Sequence, residues 1–220
     1  MKLVLASGSQ RRRELLTMCG YDYEIIVSNA DETIDENDPE SFVRALSFRK
    51  AKEVFDRLFA AGRRDFAVIG SDTVVAFQKE GETKPVIIGK PKDAKDAVRI
   101  LSMLSGKTHR VFTGVSVIAD ISDENAAAQC SIREKAEIQT ECSITEVTFE
   151  TLSPDEIADY VNSGDPLDKA GSYGIQGPFG MFVREIRGNY FTVIGMPIPV
   201  LYKMLKKIGI LPHGFYERIE

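Results

Sequence analysis

Three consecutive arginines, Arg11 to Arg13, follow directly after a Ser-Gly-Ser segment that begins at Ser7. An apolar run precedes this segment and a helical pattern follows it, which predicts a strand, a tight loop and a helix with Ser9 as its N-cap. Cations in the first turn of a helix oppose its partial positive charge, and a bound anion would remove the conflict. Two hydroxyls, free backbone N–H groups and two or three guanidiniums therefore indicate a phosphate site, with three separately solvated arginines as the alternative.

Two carboxylates stand close to predicted strand ends. Asp72 lies between the apolar runs 66–70 and 74–77, which predicts a strand interrupted at 71–73. A buried carboxylate is costly unless it is paired or bound to a metal, so we favour a functional role over a side-chain hydrogen bond at a turn. Glu32 follows a second predicted strand at 21–27.

Two lysines stand at positions with unusual constraints. Lys50 falls in the apolar row of a predicted helix, where it either extends its stem along the core or points toward an anion in a cleft. Lys90 lies between Gly89 and Pro91, and the proline restricts its backbone to extended conformations. Both lysines are therefore candidate ligands of an anion.

The elements that must position these side chains alternate along the first half of the chain. The second half contains a predicted long hairpin around a polar loop at 122–136. This order indicates an α/β fold with a mixed sheet. Further strands are predicted at 3–6, 86–88, 107–120, 137–150, 183–186 and 191–194, and helices at 38–61, 93–106, 153–164 and 197–208.

The composition excludes several classes of function. The formal net charge of −5 argues against sequence-independent nucleic-acid binding, and no apolar run approaches a membrane span. Two histidines make a His-rich zinc site or a Ser-His-Asp triad improbable. Three cysteines without a C-x-x-C pattern, and no recognisable signal peptide, favour a reducing, cytoplasmic compartment. Neither a Walker A nor a G-x-G-x-x-G motif occurs.

Ligands of open α/β sheets bind beyond the carboxyl ends of the strands, where most of the candidate residues are predicted. Their side chains are carboxylates, lysines, arginines, hydroxyls and an amide. This set suits a polyphosphate held together with a hard divalent cation such as magnesium. The candidates are Ser7, Ser9, Arg11, Arg12, Glu32, Lys50, Asp72, Lys90 and Gln176.

Four segments in order resemble the signature blocks of the Maf family of nucleoside triphosphate pyrophosphatases. They are Leu-Ala-Ser-Gly-Ser-x-Arg-Arg at 5–12, Gly-Ser-Asp-Thr-Val at 70–74, Gly-Lys-Pro at 89–91 and Asp-Lys-Ala-Gly-x-Tyr-Gly-Ile-Gln-Gly at 168–177. The resemblance extends from about residue 2 to 209, although the polar loop at 122–136 looks longer than the family pattern. It implies an elongated mixed sheet with flanking helices and two lobes around a cleft, as in inosine triphosphate pyrophosphatases.

The resemblance also implies a reaction. Family members cleave a nucleoside triphosphate between the α and β phosphates, with magnesium or manganese, and release a monophosphate and pyrophosphate. The proton acceptor falls on Asp72 and a metal ligand on Glu32. Whether Asp72 is base, metal ligand or both stays open. The phosphate-binding residues fall on Lys50, Lys90, Arg11 and Arg12, with Ser7 and Ser9 beside them, and the specificity positions on Arg11, Thr73 and Gln176.

The Ile-Gln-Gly form resembles the branch that prefers dTTP and UTP, including modified pyrimidine nucleotides, as a house-cleaning activity. Three alternatives remain at this stage: the branch that acts on 7-methyl-GTP, a nucleotide-binding regulator of cell division without turnover, and a nucleotidyltransferase. We expect a single domain over 1–220, with 209–220 as a tail, and a homodimer that binds neither membrane nor nucleic acid.

Overall fold

The structure, a computed structural model, describes residues 1–79, 81–121 and 136–214. Short 3₁₀ turns lie at Asp165–Asp168, Ala170–Ser172 and Pro178–Phe182. The strands are β1 (Lys2–Leu5), β2 (Tyr23–Ile25), β3 (Phe66–Phe77), β4 (Val86–Ile88), β5 (Thr108–Asp120), β6 (Ala136–Phe149) and β7 (Val183–Arg187). The helices are α1 (Gln10–Met18), α2 (Pro39–Ala60), α3 (Ala94–Leu104), α4 (Pro154–Asn162), α5 (Tyr190–Ile194) and α6 (Ile198–Lys207).

Seven strands within the described ranges form one mixed sheet in the order β2-β1-β3-β5-β6-β7, and β4 pairs with β3. β1 is parallel to β2 and β3, whereas the other neighbours are antiparallel. The long hairpin predicted from the sequence is β5–β6. The predicted α/β fold with a mixed sheet and flanking helices is therefore confirmed.

Alternation along β1 shows how the helices cover the sheet. Leu3 and Leu5 pack with residues of α1 and α6 on one face, while Val4 packs with residues of α2 on the other face. The sheet is therefore buried on both sides at β1, as expected for a strand with a continuous apolar run. None of the helices in the described ranges has both the length and the apolar composition of a membrane span.

Two short strands, β1 and β4, pair with different parts of the same edge of β3. Its first part pairs with β1 as far as Ile69, and its last part pairs with β4 from Val75. Asp72 therefore lies inside a continuous strand, and the interruption predicted at 71–73 is wrong. The chain stays extended because β5 pairs along the opposite edge without a break. The gap between β1 and β4 leaves the edge beside Asp72 open.

Helix α2 crosses the sheet at two glycines in neighbouring strands. A Cβ at Gly70 would lie 2.2 Å from the carbonyl oxygen of Ser47, and one at Gly114 would lie 2.2 Å from that of Val43. Real Cβ atoms do not approach other atoms so closely, so only glycine permits this packing. The close approach sets how near Lys50, three residues beyond Ser47, comes to the sheet.

We expect Gly114→Ala to lower the free energy of unfolding by about 1–3 kcal/mol, because α2 must move away from the sheet. Urea unfolding measures this change. Gly89→Ala is the control, since nothing lies within 4 Å of a Cβ there. Equal losses in the two variants would contradict the close packing of α2.

Two further predicted elements differ from the structure. The segment 191–194, predicted as a strand, is helix α5, because Asn189 caps the backbone N–H of Phe191 and Gly195 ends the helix at φ +110°. The predicted strand 21–27 is reduced to β2. Residues 122–135 of the predicted polar loop and 215–220 of the predicted tail lie outside the described residues. His213 donates its backbone N–H to Gly20 at 2.7 Å.

Candidate active site

A cleft of about 1610 Å³ opens beside the gap in the sheet edge. The start of α1, β3, β4 and the loop at 165–177 line it. The structure brings every residue predicted for the site to this one cleft. These residues are Ser7, Ser9, Arg11, Arg12, Glu32, Lys50, Asp72, Thr73, Lys90 and Gln176.

Lys50 joins the two predicted carboxylates. Its Nζ lies 2.6 Å from Oδ1 of Asp72 and 3.0 Å from Oε1 of Glu32. The side chains of Lys50 and Asp72 are 13% and 12% exposed, whereas that of Glu32 is 64% exposed. The Lys50–Asp72 pair is thus shielded from solvent. A buried charge is stable only beside a group of opposite charge, which each of the two residues provides for the other. Lys50 therefore lies at the site rather than merely along the core.

Arg12 is held by three acceptors from different parts of the chain. Its Nε donates to the carbonyl of Gly195 at 2.8 Å, one terminal nitrogen to Ser7 Oγ at 3.1 Å and the other to Thr73 Oγ1 at 3.4 Å. Burial lowers the pKa of Arg12, against the attraction of Asp72. Because guanidinium carries five N–H donors, two remain for a ligand.

The two serines of the first loop present groups suited to an anion. Ser7 Oγ accepts hydrogen bonds from the backbone N–H of Ser9 at 3.2 Å and from Arg12, so its own proton is available to a ligand. Ser9 occupies the N-cap of α1, as predicted, but its side chain makes no capping hydrogen bond. Its hydroxyl and the first N–H groups of the helix therefore remain available to a ligand.

A second charged cluster also lines the cleft. Arg11 contacts Asp168 at 3.3 Å, and Lys169 contacts Asp168 at 2.7 Å and Asp165 at 2.8 Å. Burial disfavours ionisation of Asp168, but Lys169 and Arg11 outweigh it and lower its pKa. Tyr160 donates to Asp165 at 2.5 Å and so anchors the loop to α4. Sequence analysis missed Lys169 and Asp165 as site residues, although the quoted block 168–177 contains the lysine.

Lys90 and Gln176 are exposed at the mouth of the cleft. Within the described ranges, neither side chain makes a hydrogen bond or ion pair to the protein, so both are free to meet a ligand. The two loops that carry them are joined, because the backbone N–H of Gly171 donates to Gly89 at 3.0 Å. Lys90 and Gln176 are therefore presented on one connected rim.

The donor set fits a hard divalent cation bound together with a polyphosphate. Among the residues that the structure describes, no group of three His, Cys, Asp or Glu side chains forms a complete protein metal site. Glu32 and Asp72 nevertheless converge on a single point at Lys50. Magnesium commonly uses one or two carboxylates and completes its shell with water and phosphate oxygens. Glu32 and Asp72 are the residues that could hold such an ion.

Comparisons with known proteins identify what this chain resembles. A family model described as Maf-like protein matches residues 2–208. A dTTP/UTP pyrophosphatase of Agathobacter rectalis is 40% identical over 217 residues, which cover 95% of this chain and 98% of the relative. One of Bacillus thuringiensis subsp. konkukian is 42% identical over 210 residues, covering 95% and 96%. The Staphylococcus aureus Ham1 structure, 14% identical, superposes with a TM-score of 0.48 over 94% of this chain and 100% of that one.

The family match covers almost the entire chain, and the curated relatives are similar over nearly their full length. The resemblance seen in the four sequence blocks is thereby confirmed. The chain belongs to the Maf-like protein family.

Proposed function

We propose that this chain is a nucleoside triphosphate pyrophosphatase that hydrolyses dTTP and UTP between the α and β phosphates. The observation that carries the proposal is Asp72, held on Lys50 at 2.6 Å in a cleft that also presents Arg12 and the start of α1. A base beside cations suits attack of water on a phosphoryl centre with an anionic leaving group. The relatives named dTTP/UTP pyrophosphatase support the same activity.

In the proposed reaction Asp72 accepts the proton of a water molecule that attacks the α phosphorus. The bond to the bridging oxygen breaks, and the electron pair leaves with pyrophosphate. Oδ1 of Asp72 accepts from Lys50, while no partner of its Oδ2 occurs within the described residues. Oδ2 is therefore the oxygen that we assign to the proton transfer. Lys50, Lys90 and Arg12 offset the charge of the departing pyrophosphate.

We further propose that Glu32 and Asp72 hold magnesium or manganese with the substrate phosphates. When bound, such an ion supplies Lewis-acid activation of phosphate oxygens and water. Glu32, the more exposed of the two carboxylates, is the better candidate for a residue that acts only as a metal ligand. Oδ2 of Asp72 then remains available to accept the proton. We also propose a homodimer in the cytoplasm, with no nucleic-acid or membrane partner, and light scattering measures the oligomeric state.

The test is product release from UTP, dTTP, 7-methyl-GTP and GTP with magnesium, with pyrophosphate and orthophosphate assayed separately. We expect pyrophosphate and monophosphate from UTP and dTTP. Pyrophosphate from 7-methyl-GTP alone would assign the chain to the other branch. Binding without release would favour the non-catalytic regulator, and product that requires an acceptor would favour a nucleotidyltransferase.

Gln176 is the residue that we assign to the pyrimidine edge, because its amide both donates and accepts. We expect Gln176→Glu to lower the ratio of kcat/KM for UTP to that for GTP by about tenfold, since glutamate loses the donor and accepts from guanine N–H groups. Steady-state kinetics with both nucleotides measure the ratio. Gln78→Glu, outside the cleft lining, controls for the added charge. An unchanged ratio would assign Gln176 to loop structure.

A further inference from the structure

The neighbours of the buried Thr113 hydroxyl determine which group it donates its hydrogen bond to. Thr113 lies directly opposite Thr73 in the β3–β5 pairing, and the two Oγ1 atoms are 3.0 Å apart. Thr113 Oγ1 also lies 2.7 Å from the carbonyl oxygen of Thr192 in α5. A carbonyl can only accept, so the single proton of Thr113 is committed to Thr192. The proton of Thr73 must therefore point to Thr113.

This direction determines what Thr73 can offer to the cleft. Its proton is used, so only oxygen lone pairs remain. One of them faces the terminal nitrogen of Arg12 at 3.4 Å. Thr73 can therefore accept from Arg12 or from a donor group of a ligand, but it cannot donate to a phosphate oxygen.

The C-terminal end of helix α5 is connected to Arg12 by hydrogen bonds in two ways, one direct and one indirect. The direct route is the carbonyl of Gly195, which accepts from Nε of Arg12 at 2.8 Å. The indirect route runs from the carbonyl of Thr192 through Thr113 and Thr73 to a terminal nitrogen of Arg12. Ser7 Oγ accepts from the other terminal nitrogen at 3.1 Å. Together these contacts define the plane of the guanidinium, and its remaining N–H groups keep a constant direction.

We propose that Thr113 is a positioning residue: by taking the proton of Thr73 it keeps Thr73 an acceptor and so orients Arg12 toward the nucleotide phosphates. This inference rests on the proposed function of the cleft. Thr113 itself is completely buried and acts only through Thr73 and Arg12.

The experiment compares Thr113→Val with Thr113→Ser. Valine has nearly the shape of threonine without its hydroxyl, so it frees the proton of Thr73 to turn toward Arg12. We expect kcat/KM for UTP and the affinity for inorganic pyrophosphate, measured by calorimetry, each to fall about tenfold in Thr113→Val. Serine retains the hydroxyl, and we expect both quantities to stay within about twofold of the wild type.

Thr148→Val is the matched control. Thr148 of β6 and Thr108 at the start of β5 form the same kind of cross-strand pair, with their Oγ1 atoms 2.8 Å apart. Thr148 is also buried, but its contact does not lead to the cleft. Loss of pyrophosphate affinity in Thr148→Val equal to that in Thr113→Val would overturn the proposal.

A double-mutant cycle distinguishes the relay from a structural role. If Thr113 acts through Thr73, adding Thr113→Val to Thr73→Val changes pyrophosphate affinity less than about twofold. Additive losses would overturn the relay. A wild type that releases no pyrophosphate from UTP would refute the proposed function alone, because pyrophosphate affinity in the variants still tests the orientation of Arg12.

Discussion

Replacing Asp72 with asparagine is expected to lower kcat for UTP by about 10²- to 10⁴-fold, because an amide cannot accept the proton of the attacking water. The substitution retains the size of the side chain and an oxygen for Lys50, whose Nζ lies 2.6 Å from Oδ1 in the wild type. Nucleotide binding should therefore persist. Steady-state release of pyrophosphate measures kcat, and calorimetry with pyrophosphate measures the remaining affinity.

Asp120→Asn is the control for the loss of a buried carboxylate. Asp120 lies at the end of β5, outside the cleft lining, and accepts the backbone N–H of Asp65 at 3.0 Å. We expect this variant to alter stability and leave kcat within about twofold of the wild type. An Asp72→Asn enzyme that keeps more than about a tenth of wild-type kcat would exclude Asp72 as the base.

The sequence predicts which residues gather at the cleft because their types are improbable elsewhere. An acid between two apolar runs, as at Asp72, and arginines in a first helical turn both need a partner that local structure does not provide. Helix starts are also predicted from local chemistry, because a capping side chain accepts a free N–H group of the first turn. Asp38, Asp93 and Ser153 each accept such an N–H at the expected position. Local chemistry therefore predicts these residues and helix boundaries, whereas the assignment of Thr73 to the site rests on the family resemblance.

The parts that sequence analysis missed depend on contacts between distant segments. The extended course of β3 at 71–73 follows from the unbroken pairing with β5, which no local pattern reveals. The short apolar run 191–194 fits strand and helix equally by periodicity, and capping by Asn189 decides for helix. Buried Thr113 resembles any other residue of an alternating strand, so its route to Arg12 appears only in three dimensions.

Lys50→Met is the second substitution with a large expected effect. It removes the ammonium that contacts both Asp72 and Glu32. We expect kcat/KM for UTP to fall about 10²- to 10³-fold, as is typical when one charge-stabilising donor is lost. Lys52→Met is the control, because Lys52 lies on the same helix but is half exposed and pairs with Asp56. A loss in Lys52→Met similar to that in Lys50→Met would indicate a general effect on α2.

Lys50 has two separable effects on an anionic ligand, since it attracts phosphate and also neutralises the carboxylates that repel phosphate. The double variant Asp72→Asn/Lys50→Met separates them, because it removes the ammonium together with the charge of its most buried partner. If neutralisation contributes, pyrophosphate affinity should be about tenfold higher in the double variant than in Lys50→Met alone. Equal affinities would mean that Lys50 acts only by direct contact with phosphate. Calorimetry without divalent metal measures both values, so the result concerns this ion cluster and not a bound cation.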